Sequence, residues 1–163
     1  MKVGIFIGSD SDFPIVEGAI HLMKKFDVKF GLEVTSAHRS PERTRTLIKK
    51  YEESGVSVFI AIAGKAAHLA GVVASHTTRP VIGVPVGGSE LGGLDALLST
   101  SQMPKGIPVA CMGIGKSGAS NAALLAIQIL ALSDLSLEEK LKANRSQMAA
   151  NVEAASQKIQ DKL

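Results

Sequence analysis

Residues 34–44 read VTSAHRSPERT, and one kind of chain geometry gives way to another inside this stretch. Val34 and Thr35 are a β-branched pair suited to the end of a strand. Ser40 followed by Pro41 marks a helix start, with serine as the N-cap and proline at the first helical position. Between them a tight loop carries Ser36, His38 and Arg39: a hydroxyl, a proton carrier and a fixed cation. A strand that turns straight into a helix predicts an α/β chain, and the rest of the sequence is read outward from that unit.

The same unit recurs. Candidate strands are 2–7 (KVGIFI), 29–35 (KFGLEVT), 56–62 (VSVFIAI), 80–86 (PVIGVPV) and 107–112 (IPVACM). All but the second are nearly continuous apolar runs, as a parallel sheet covered on both faces requires. The second is mixed, which places it nearer an edge. The stretches 13–26, 41–54, 66–77, 91–100 and 118–132 suit crossover helices, so the expected architecture is an open α/β sandwich on a mainly parallel five-stranded sheet. Ser136 and Glu139 form an S-x-x-E capping box that predicts a last, long helix. Along it Leu137, Leu141, Met148, Val152, Ala155, Ile159 and Leu163 make an apolar stripe. The sheet already has its helices, so this one is expected to pack on a neighbouring subunit, the alternative being a last helix folded back on its own core. One domain is expected over 1–163, with about 135–163 as the oligomerisation helix.

Composition narrows the function classes. Hydrophobic residues make up 45% and charged residues 20% of 163, a globular profile. No apolar run reaches the roughly 18 residues of a membrane span, and the opening MKVGIFIGSDSD turns acidic too soon for a signal peptide. Cys111 is the single cysteine, which excludes an internal disulfide and makes the cytosol the default. The net charge of +3 does not argue for nucleic acid. The pairs Lys24-Lys25 and Lys49-Lys50 lie among acidic neighbours as solvated helix faces, and 4% aromatics without tryptophan leave little to stack bases on. A small anionic ligand accounts for a mildly basic chain equally well.

Ligands of open α/β sheets sit at the carboxyl ends of strands. The first such loop, Gly8-Ser9-Asp10-Ser11-Asp12, offers hydroxyls and amides for a phosphate and Asp12 for ribose hydroxyls, although serine and aspartate also simply cap helices. The second is the His38–Arg39 turn, where the guanidinium fork suits a phosphate and the imidazole exchanges a proton near neutrality. The third, AGKAAHLAG at 63–71, is nearly bare of side chains, so a flat ligand can approach its backbone, with Lys65 and His68 at hand. The fourth, PVGGSELGGLD at 85–95, suits a lid or a backbone contact.

Other chemistries lack their parts. Residues 110–117, ACMGIGKS, imitate a phosphate-binding P-loop, but no strand ends in the aspartate that would hold magnesium. His21, His38, His68 and His76 have no companion ligands at metal spacing, and Ser89 lacks the G-x-S-x-G elbow. A receiver domain would end its third strand in an aspartate, where this chain has AIAGK.

Taken in order, GSDSD (8–12), SAHRSPER (36–43), AAHLAG (66–71), VIGVPV (81–86), LGGLDALLS (91–99), QMPKGIPV (102–109) and NAALLAIQIL (121–130) resemble the 5-(carboxyamino)imidazole ribonucleotide mutases of purine biosynthesis and the related aminoimidazole ribonucleotide carboxylases. The resemblance runs over nearly the whole chain. It implies a flavodoxin-like three-layer α/β/α fold, a homo-octamer with sites shared between subunits, and no cofactor or metal. It assigns Ser9, Asp12 and Arg39 to the ribonucleotide, with Ser11 and Ser36 joining Arg39 around phosphate and Asp12 facing the ribose. His38 becomes the proton-transfer residue, and His68 lies beside the aminoimidazole with Ala63, Gly64, Lys65, Ala67 and Leu69. The implied substrate is an aminoimidazole ribonucleotide exchanging carbon dioxide. Two positions depart from the family: Lys65 stands where bacterial mutases usually carry glycine and the carboxylase branch tends to carry a basic residue, and Ala70 stands where mutases commonly have proline. His68 and QMPKGIPV are mutase-like, so internal carboxylate transfer is expected ahead of direct carboxylation. A non-catalytic flavodoxin-like nucleotide-binding module is the reading outside this enzyme family.

Overall fold

The computed structural model describes residues 2–163. Five strands, β1 (Val3–Ile7), β2 (Phe30–Val34), β3 (Val58–Gly64), β4 (Val81–Val86) and β5 (Ala110–Cys111), form one sheet in the order β2-β1-β3-β4-β5. Every pairing is parallel. This is the doubly wound flavodoxin-like order, in which the chain runs to one edge, returns past β1 and continues to the other. The switch lies between β1 and β3, so the loops leaving these strands diverge and open a crevice.

Burial follows the sequence pattern. β1 and β4 are buried along their whole length, and β3 until its last two residues, as strands covered on both faces must be. Mixed β2 is an edge strand and is only half-buried until exposed Val34. β5 is shorter than the apolar run 107–112 suggests, because the pairing with β4 covers only Ala110 and Cys111.

The crossover helices are α1 (Phe13–Lys25), α2 (Pro41–Glu53), α3 (Leu69–Ser75), α4 (Leu94–Ser101) and α5 (Lys116–Ala131), followed by α6 (Leu135–Gln160). α2 buries Thr44, Leu47, Ile48 and Tyr51, a stripe at helical spacing. Leu47, Ile48 and Tyr51 join Phe6, Phe59, Leu69 and Val73 in one apolar cluster. Gly4 makes room for it: a Cβ there would lie 2.7 Å from the Tyr51 ring and 2.9 Å from the Phe59 ring. Burying such side chains is worth roughly 1.5–3 kcal/mol each, which fixes the position of α2 and of the loop that enters it.

The chain divides into two compact units, the first ending at Ile127 and the second spanning Gln128–Leu163. In the second unit α6 is capped by Asp134, whose carboxylate accepts from Ser136 N at 3.0 Å and Leu137 N at 3.3 Å. The expected Ser136–Glu139 capping box is therefore corrected. Asp134 lies two residues earlier, and its carboxylate accepts both free amides, so the helix begins at Leu135 and Ser136 is inside it. Of the apolar stripe Leu137 is buried, whereas Met148, Val152, Ile159 and Leu163 are exposed.

Candidate active site

The cavity at the carboxyl ends of the strands has a volume of about 580 Å³. Its walls come from the four loops after β1, β2, β3 and β4, and each loop is held by its own hydrogen bonds.

After β1 the chain makes a single 3-10 turn, Asp10–Asp12, capped by Ser9. Ser9 Oγ accepts from Ser11 N at 3.3 Å and from Ser11 Oγ at 2.9 Å, and donates to Asp10 Oδ1 at 3.0 Å. Asp12 Oδ2 accepts from Ser9 N at 3.1 Å, closing a capping box. The capping and ligand readings of this loop are thus compatible, because the caps set the hydroxyls on the cavity wall. Asp12 is nearly buried. Burial raises its carboxyl pKa above the usual value and neighbouring Asp10 adds to the rise, while the Ser9 amide and the Arg39 charge oppose it.

The loop after β2 is pinned at both ends. Thr35 N donates to Ile7 O at 2.9 Å, and the buried hydroxyls of Thr35 and Thr44 meet at 2.7 Å. Ser40 stands at the N-cap with Pro41 in the first turn, as the sequence predicts, but its hydroxyl does not cap α2. It accepts from Ser36 N at 3.0 Å and donates to Ser36 O at 3.2 Å, folding the loop back on itself. Arg39 is aimed by this turn: its amide donates to Ser36 Oγ at 3.2 Å, its Nε to the same oxygen at 3.5 Å and its Nη2 to Gly8 O at 3.1 Å. The guanidinium thereby bridges the first two loops on the serine side of the cavity.

The loop after β3 brings the second imidazole. His38 Nε2 and His68 Nδ1 are 2.8 Å apart, with the rings edge to face and centroids 4.9 Å apart. One ring donates and the other accepts, so the pair holds a proton between two strand ends. α3 starts at Leu69 rather than near 66, which leaves Lys65, Ala66 and His68 on an exposed loop. Lys65 lies at φ 55°, in the left-handed region.

The structure brings Ser9, Ser11, Asp12, Ser36, His38 and Arg39 onto one cavity with Ala63, Gly64, Lys65, His68 and Leu69. Ala67 is 1% exposed and packs in the core rather than on the cavity wall. Val86, Gly87, Gly88 and Ser89 of the fourth loop also line the cavity. Their signal is the glycine-rich turn at the end of β4. Gly88 takes φ 94°, and Ser89 Oγ straps the turn by donating to Asp95 Oδ1 at 2.7 Å and accepting from Gly93 N at 3.2 Å. None of residues 110–117 lines the cavity, and Lys116 is the first residue of α5. Among the described residues no group of three or more His, Cys, Asp or Glu side chains gathers as metal ligands would.

Residues 2–151 match the AIR carboxylase family model. The chain is 52% identical to the N5-carboxyaminoimidazole ribonucleotide mutase of Pyrococcus abyssi over 90% of its own length and 83% of that protein. It is 51% identical to the mutase of the same description from Methanocaldococcus jannaschii, over 96% of each chain. A crystal structure of Treponema denticola PurE superposes with a TM-score of 0.84 at 29% identity, covering 92% of both chains.

Proposed function

Because the chain belongs to the AIR carboxylase family, we propose that it is an isomerase of purine biosynthesis that converts 5-(carboxyamino)imidazole ribonucleotide to 5-amino-4-imidazolecarboxylate ribonucleotide. The observation that carries the reading is the His38–His68 pair, joined at 2.8 Å, in one cavity with the Arg39 guanidinium. Ser9, Ser11, Ser36 and Arg39 take the phosphate, a fork and three hydroxyls matched to its oxygens. Asp12 takes the ribose hydroxyls, since a carboxylate repels phosphate. The backbone of Ala63 to Lys65 flanks the flat ring.

The reaction moves one carboxylate from the exocyclic nitrogen to ring carbon 4. His38 donates a proton to the nitrogen as its bond to the carboxyl carbon breaks, releasing carbon dioxide and a nucleophilic aminoimidazole. Ring carbon 4 then attacks carbon dioxide, and its displaced proton returns to His38, so no proton is gained or lost overall. His68, hydrogen-bonded to His38, keeps that ring oriented between the two transfers. Recapture by a ring held beside the released gas is effectively unimolecular, which favours internal transfer over uptake from solution. The same reading includes a cytosolic homo-octamer, with the exposed apolar residues of α6 covered by neighbouring copies.

Steady-state assays test the reading. The carboxyamino substrate should turn over without added bicarbonate, at a kcat/KM far above that for aminoimidazole ribonucleotide with physiological bicarbonate. The reverse order would assign direct carboxylation, and binding of both without turnover would assign a nucleotide-binding module.

A further inference from the structure

The proposed ribonucleotide is anionic at two places, the phosphate and the migrating carboxylate. The serine side of the cavity supplies one fixed cation, Arg39, tied to Gly8 O at 3.1 Å. The other lysine or arginine on the wall is Lys65, in the loop that also carries His68. Lys65 is exposed, and no hydrogen bond or ion pair engages its ammonium among the described residues. Asp12, the carboxylate on the wall, is already held by Ser9 N.

The backbone adds an independent observation. Lys65 and Asp27 are the described non-glycine residues with positive φ, at 55° and 58°. A short polar aspartate tolerates that region, whereas a lysine gains nothing local from it and a glycine would sit there without strain. A strained long side chain at a ligand cavity points to a role for that side chain.

We propose that Lys65 is a specificity-determining residue whose ammonium pairs with the carboxylate of the ribonucleotide and so distinguishes carboxylated from uncarboxylated aminoimidazole. The inference rests on the mutase reading. Substrate and product both carry the carboxylate, whereas the intermediate gas is neutral, so the pairing stabilises the two ends of the reaction and its loss falls on KM.

Titration calorimetry of the full chain with 5-amino-4-imidazolecarboxylate ribonucleotide and with aminoimidazole ribonucleotide tests this. Lys65→Gly and Lys65→Met should weaken the carboxylated ligand about tenfold, the size of one charge-assisted contact, and leave the other within about twofold. Lys65→Arg should restore the discrimination, and Lys65→Gly should melt above the wild type because the strain is released. Lys65→Met keeps the backbone demand and the stem, so it reads the charge separately from folding. Equal weakening of both ligands, or of neither, overturns the proposal. Wild-type protein that fails to convert the carboxyamino substrate defeats the mutase reading, whereas wild-type turnover with indifferent Lys65 variants defeats this inference alone.

Discussion

The hydroxyl pair that closes the His38–Arg39 loop makes an unequal prediction for its two partners. Thr35 is 2% and Thr44 0% exposed, and their oxygens are 2.7 Å apart. Thr44 Oγ1 also donates to Ser40 O at 3.2 Å, which uses its one proton, so Thr35 is the donor between the two threonines. Thr35→Val keeps the branched shape and removes that donor; Thr44 still donates to Ser40, and the cost is one ordinary hydrogen bond, about 1 kcal/mol. Thr44→Val strands the Thr35 hydroxyl proton away from water, at about 1–3 kcal/mol. The double variant leaves no orphan hydroxyl, and Ser40 O still accepts from Thr44 N at 3.1 Å. Its cost should therefore fall short of the summed single costs by about 1 kcal/mol. Urea unfolding at constant m-value reads all three, with melting temperatures moving about 2–4 °C per kcal/mol in a chain of this size. Additive costs, or Thr35→Val costing more than Thr44→Val, would refute the donor assignment and with it the account of how the loop is closed.

The remaining predictions concern the site and the tail. His38→Asn should still bind product in calorimetry while turnover falls about 10²–10⁴-fold, the usual contribution of a general acid–base group; near-normal turnover would remove His38 from its role. Asp12 has a carboxyl pKa raised by burial, so the folded state holds its proton more tightly than the unfolded chain. Stability from this group is therefore fully present below the ordinary value of 3.8 and is lost as pH rises through the folded pKa. Asp12→Asn keeps an oxygen for Ser9 N and should melt at or above the wild type at pH 7, with the gain vanishing at acid pH and ribonucleotide binding weakened; a lower melting point at pH 7 contradicts the sign. A chain ending at Asp134 should form a smaller assembly in size-exclusion with light scattering, and an unchanged number of protomers would free α6 from the oligomer.

The continuous apolar runs made the fold legible, because a strand buried on both faces leaves no room for alternation. The mixed composition of β2 likewise marked it as an edge. The ends of elements were harder to read: S-x-x-E imitates a cap at Ser136, yet Asp134 reaches the free amides first. In the site, a proton carrier beside a fork at one strand end pointed to the His38–Arg39 loop, which lines the cavity, whereas Ser9 and Asp12 also cap their own turn and were assigned to a ribonucleotide only through the family resemblance. Ala67 is buried, and nothing in a run of small residues tells which methyl lies in the core. Gly87 and Gly88 carry no side chain to announce a ligand, although the glycine-rich turn was noticeable. The positive φ of Lys65 is invisible in sequence, where only a lysine among small residues can be seen.

The fate of the carboxyl carbon tests the central claim most directly. Unlabelled carboxyamino ribonucleotide is turned over in ¹³C-bicarbonate, and the product is weighed before carbon dioxide exchanges with solution. The site described here predicts product that retains the substrate's own carbon. Product that carries the label of the medium would contradict it.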